Sequence, residues 1–109
     1  MIAVMNRLPV REGAAGELVD MFATSRGAVQ DFPGFVSMEV MRSEDEREVV
    51  VITWWESREA FEKWVESESF RRAHGRSGAH LLTGHPQMTT YAVEVRREPG
   101  EKGGGRQRR

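Results

Sequence analysis

The eight residues Glu48 to Trp55, Glu-Val-Val-Val-Ile-Thr-Trp-Trp, constrain the fold of this chain more than any other stretch. β-Branched and aromatic residues fill it, which suits a pleated strand. Side chains alternate across a strand, so Val49, Val51, Thr53 and Trp55 take one face while Val50, Ile52 and Trp54 take the other. Both faces are apolar, and such a strand has to be covered twice. With 109 residues the chain is one domain long. Helices of the same chain can cover one face of its sheet. A second copy is the simplest cover for the other, because Trp54, Met38 and Val40 make an exposed sheet a poor solution.

The flanking sequence supplies the rest of that sheet and its helices. Ile2 to Val10 alternates, with Ile2, Val4, Asn6, Leu8 and Val10 on one face. Gly13 and Gly16 stand at the entry to a helix in which Ala15, Leu18, Val19, Phe22, Arg26 and Val29 recur at helical spacing, to about residue 30. Asp31-Phe32-Pro33-Gly34 is a turn. Phe35 to Arg42 is a second strand, and Ser43 to Arg47 is a charged hairpin loop leading into Glu48–Trp55. Ser57 caps a second helix whose buried stripe is Ala60, Phe61, Trp64 and Val65. Ser67 or Ser69 starts a third, short helix carrying Phe70, Ala73 and His74. Gly75 to Pro86 reads as a loop, with Leu81-Leu82 docking on the body, and Met88 to Arg96 as the last strand. The order β-α-β-β-α-β predicts an α+β, ferredoxin-like fold, a four-stranded antiparallel sheet with helices on one face.

Composition removes several classes of chemistry. There is no cysteine, so disulfides, iron–sulfur clusters, thiolate-ligated haem and thiol nucleophiles are excluded. Arg7 and Pro9 interrupt the N-terminal apolar stretch, no signal peptide is read, and no run reaches transmembrane length. The expected location is cytoplasmic, with no membrane partner. The net charge of −1 hides an asymmetry: residues 97–109 carry five basic and two acidic groups, +3 on the tail against −4 on the rest. This tail lacks apolar residues and is expected to be a disordered, solvated segment following a domain of residues 1–96. Without interleaved aromatics, its basic groups are a weak signal for nucleic acid. His74, His80 and His85 are too loosely spaced for an ordinary zinc site.

Three residues break the pattern. Asn6 places a carboxamide on the strand face of Val4 and Leu8, where it needs a partner, either a neighbouring loop or a ligand. His74 follows Phe70 by four on a helix face, as a hydrogen-bonded core residue or a metal ligand. Trp55 ends its strand, reads as core packing, and carries an indole N–H that needs a partner if buried.

The block Trp-Glu-Ser-x-Glu-Ala-Phe-x-x-Trp from Trp55, followed by Ser-x-x-Phe-x-x-Ala-His ending at His74, resembles the antibiotic biosynthesis monooxygenase superfamily, nearest its haem-degrading monooxygenases of the IsdG type. The resemblance spans residues 1–96. It implies a homodimer in which two sheets form a shared α/β-barrel, and haem held between helices and sheet as both substrate and cofactor. By position the family's Asn, Trp and His fall on Asn6, Trp55 and His74. His74 would be the axial ligand to haem iron, Asn6 a distal hydrogen-bond donor, and Trp55 the residue that presses on the porphyrin. Phe22, Val51, Phe61, Trp64 and Phe70 would line the pocket. Arg26, Arg71, Arg72 and Arg76 are candidates to pair with the propionates, and the loop from Gly75 would be a lid. The reaction implied consumes dioxygen and electrons from an unidentified donor, opens the ring and releases iron. The superfamily leaves two alternatives: a cofactor-free monooxygenase acting on an aromatic polyketide or quinol, and a non-catalytic dimer that binds haem or another small molecule.

Overall fold

The computed structural model describes residues 1–24, 29–68, 70 and 78–100. Its elements are β1 (Ile2–Pro9), α1 (Ala15–Thr24), β2 (Phe35–Arg42), β3 (Glu48–Trp55), α2 (Arg58–Glu66) and β4 (Gln87–Ala92), with short 3₁₀ turns at Val29–Asp31 and Ala79–Leu81. The strands form one sheet in the order β2-β3-β1-β4, every neighbouring pair antiparallel. This is the ferredoxin-like arrangement. The doubly apolar β3 and the alternating β1 take the two central places, where both edges are paired.

Local chemistry fixes the connections. In the β2–β3 hairpin the Ser43 hydroxyl donates to Asp45 Oδ1 at 2.7 Å and accepts from the Arg47 and Glu48 amides. The Asp45 carboxylate gains that hydroxyl and the Arg47 N–H, which hold its pKa below the ordinary value. Ser57 caps α2 by accepting from the Ala60 amide at 3.1 Å. The Ser67 hydroxyl accepts from the Phe70 amide at 3.0 Å, the bond an N-capping serine makes; Ser69, the other serine read as a start, lies outside the described residues. Ala73 and His74 lie outside the described residues.

The cross-strand register sorts the sheet into two faces. Ile2, Val4, Asn6 and Leu8 stand opposite Trp55, Thr53, Val51 and Val49, and all eight face the helices. Ala3, Met5 and Arg7 share the other face with Trp54, Ile52 and Val50. Met38 and Val40 are corrected by this register. They pair with Thr53 and Val51 and so belong to the helix face. A bulge between Phe35 and Ser37 inserts one residue and reverses the alternation that β2 would otherwise keep.

β4 is shorter than Met88–Arg96. It pairs with β1 alone, and β1 begins at Ile2, opposite Ala92. One more backbone bond, Val93 N–H to the Met1 carbonyl at 3.1 Å, ends the contact. The described part of the 75–86 loop is not free to act as a lid. Leu82 bridges Val10, the Arg11 amide donates to the Leu81 carbonyl at 2.8 Å, the Thr83 amide donates to the Pro9 carbonyl at 3.0 Å, and Leu81 is buried. Leu81-Leu82 thus docks as read. Among the described residues no helix is long and apolar enough to cross a membrane.

Candidate functional site

The helix face of the sheet carries two apolar cores rather than one. The first gathers Leu8, Val10, Ala14, Ala15, Leu18, Val49 and Leu81, with Phe22, Val40 and Val51 packed against it. The second gathers Val4, Trp55 and Trp64, with Phe32, Phe35, Phe61 and Phe70 around them. Along β1 the boundary falls between Leu8 and Val4, which is where Asn6 stands. Along β3 it falls between Val51 and Trp55, which is where Thr53 stands. A seam therefore crosses the central strands between the α1 side and the α2 side, and its two floor residues are polar. Thr90 of β4, also opposite Val4, continues the same row.

Asn6 is half-buried and pairs with Val51 on one side and Met88 on the other. Among the described residues its carboxamide makes no side-chain hydrogen bond. Of the two readings open for it, the loop partner is not found there. A partly buried, unbonded amide on an apolar floor is costly to keep without a ligand.

Trp55 is completely buried. Phe35, Phe61, Trp64 and Phe32 enclose its ring at centroid distances of 5.6, 5.8, 6.3 and 6.4 Å, and its indole N–H donates to Thr53 Oγ1 at 3.0 Å. As placed, it has no surface to offer a ligand. Trp64 lies one ring further out. It touches Phe32 at 5.3 Å and Phe70 at 5.6 Å, and Phe70 precedes His74 by four residues.

Phe22 and Val51 thus flank the seam from the first core, and Phe61, Trp64 and Phe70 from the second. His74, Arg26, Arg71, Arg72 and Arg76 lie outside the described residues, so the axial ligand and the propionate partners carry no geometry here. His80 and His85 are exposed, and no cluster able to hold a metal ion is found among the described residues. The sequence reading passed over Thr53. Its signal was available, as the single hydroxyl within an apolar strand and on the face that points to the helices.

The sheet is ferredoxin-like, and on its helix side polar residues separate two apolar cores, an α+β arrangement. Residues 1–76 match the antibiotic biosynthesis monooxygenase family, and the chain belongs to it. A heme-degrading monooxygenase of Bacillus thuringiensis is 34% identical over 105 residues, covering 91% of this chain and 95% of the relative. The structure of the heme-degrader MhuD from Mycobacterium tuberculosis, with two hemes bound in its active site, is 28% identical, with a TM-score of 0.76 over 90% of this chain and 100% of that one. SnoaB, a cofactor-independent oxygenase from Streptomyces nogalater, superposes with a TM-score of 0.71 over 92% of this chain and 97% of that one; at 24% identity it shows the shared fold.

Proposed function

We propose that this protein is a haem-degrading monooxygenase that binds haem in the seam and opens the macrocycle with dioxygen and external electrons, releasing iron. The observation that carries the reading is the unbonded Asn6 carboxamide on the floor between two apolar cores. The extensive similarity to a heme-degrading monooxygenase supports it. A porphyrin is a flat apolar ring, which suits walls made by Val51, Phe22, Trp64 and Phe70, and with no cysteine the nitrogen of a histidine is the fitting donor for its iron.

Haem supplies the redox chemistry when bound. The chain binds and orients it. Asn6 would offer an amide N–H to the bound group and stabilise negative charge that develops there. His74 provides the imidazole that fixes the iron. Trp64, also buried but at 6% exposure against 0% for Trp55, is the indole of this core that would press on the porphyrin, with Trp55 behind it. Arg26, Arg71, Arg72 and Arg76 are the cations available to the propionates. The active form is a homodimer joined through the sheet face of Val50, Ile52 and Trp54. In this reading the protein works in the cytoplasm, close to cellular reductants.

The test is a haemin titration followed by a reductant. A saturable Soret band is expected, altered or lost in His74→Ala, and it bleaches in air once ascorbate is added. Binding without bleaching would reduce the protein to a haem carrier. No binding, with oxygen uptake on a quinol, would favour the cofactor-free chemistry instead.

A further inference from the structure

Thr53 occupies an unusual position for a hydroxyl. It stands in the central strand β3, half-buried, on the face that packs against the helices, at the point where the two cores part. Its oxygen accepts the Trp55 indole N–H at 3.0 Å. A hydroxyl that receives a hydrogen at its oxygen turns its own hydrogen elsewhere. Among the described residues no acceptor takes that proton, and the indole blocks the direction of the second core.

Asn6 is the nearest polar neighbour on this floor. Thr53 pairs with Val4 and Asn6 pairs with Val51, so the two are diagonal neighbours on adjacent strands. Such pairs have Cα atoms about 7–8 Å apart with both side chains on one face. An atom seated above the midpoint is within reach of both. Thr90 shares the row but belongs to the edge strand, and no indole fixes its rotor.

We propose that Thr53 is a second ligand-facing donor. Its hydroxyl, held in a single sense by the Trp55 indole, points its proton into the seam, where it and the Asn6 amide would together donate to an anionic ligand carried by the bound haem and not to the ring itself. The inference rests on the haem reading and extends it. The Trp55–Thr53 bond then has a function beyond packing: it makes a fixed donor out of a freely rotating hydroxyl, the kind of preorganised group that stabilises developing charge.

The probe is azide, added to the ferric haemin complex of the intact protein. Thr53→Val should bind haemin as the unaltered protein does, yet bind azide roughly five- to tenfold more weakly, the loss expected for one hydrogen bond. Thr53→Ser should restore the azide affinity. Thr53→Val also strands the indole N–H. Should it fail to fold, Trp55→Phe with Thr53→Val removes both partners and is compared with Trp55→Phe alone; a smaller loss in the same direction is expected, because the hydroxyl kept in Trp55→Phe rotates freely. If azide binds equally well with and without the hydroxyl while haemin is bound, Thr53 merely supports Trp55 and the inference falls by itself. If the unaltered protein forms no haemin complex, the haem reading falls and takes this inference with it.

Discussion

Asn6 stands between Val4 and Leu8 on an apolar strand face, and its carboxamide has no partner among the described residues. Such a group lowers stability unless a ligand pairs with it, as the proposed haem site would. Asn6→Leu is therefore expected to leave the urea midpoint unchanged or raise stability by up to about 1 kcal/mol, since half-burial limits the desolvation at stake. The same variant should lose roughly 100-fold in the rate of ascorbate-driven haem bleaching, the effect of removing one preorganised donor. A variant that loses stability and activity together would mark Asn6 as structural. Asn6 was legible in the sequence because strand alternation alone assigns its face. The surroundings of Trp55 were not. Its ring is enclosed by Phe32, Phe35, Phe61 and Trp64, which come from a turn, another strand and a helix. Periodicity within one strand reports none of those contacts, so it supports core packing for the indole, as found, but not which rings enclose it.

β2 and β3 have the limits their sequence patterns suggest, because the charged Ser43–Arg47 hairpin joins them while the Pro33-Gly34 turn and the Ser57 cap close their outer ends. Three expectations at this scale are corrected: α1 spans Ala15–Thr24 with Val29–Asp31 as a separate 3₁₀ turn where the sequence reads as one helix to about residue 30, Val65 is 37% exposed and so lies outside the buried stripe of α2, and β4 ends early for want of a partner. β4 stops at Ala92 because β1 offers nothing further to pair with, although Val93 and Val95 continue the apolar alternation. Close approaches between elements were equally invisible. Gly34 has a positive φ of 89°, its carbonyl accepts the Glu56 amide at 2.8 Å, and a Cβ there would collide with the Cβ of Ala60 on α2. The glycine thus holds α2 against the start of β2, beside the aromatic core. Gly34→Ala should cost about 2–4 kcal/mol from left-handed strain and overpacking together. Urea denaturation measures it, and a loss below about 0.5 kcal/mol would show that the turn and helix separate freely.

At the scale of the whole molecule the unfinished feature is the sheet face away from the helices. Val50, Ile52 and Trp54 are half-buried there, and Met41 and Tyr91 are 42% and 48% exposed. Val93, Val95 and Arg96 border Trp54 across a cleft of about 350 Å³, closed on its other side by Ser37 and Glu39. This two-sided apolarity was the plainest signal in the sequence, but the membership of the face was not. One inserted residue in β2 moves Met38 and Val40 to the helix side and brings Ser37, Glu39 and Met41 to the open side. The face that a second copy would cover therefore has an apolar centre at Trp54 and Ile52 with polar groups at its rim, the usual anatomy of an interface. Trp54→Glu puts a carboxylate at that centre, where pairing two copies would bury two like charges. Light scattering on a sizing column should give twice the chain mass for the unaltered protein and the single chain mass for the variant. Because a dimer is stabilised by mass action, the urea midpoint of the unaltered protein should rise with protein concentration, and that of Trp54→Glu should not. The described residues that border the seam, among them Asn6 and Thr53, lie on the opposite side of the sheet. A folded Trp54→Glu monomer is accordingly expected to keep a Soret band with haemin, with weaker retention as the uncovered sheet loosens. An unaltered protein that elutes as a monomer with a concentration-independent midpoint would show that water covers this face, and would leave the haem site to be judged by its own residues.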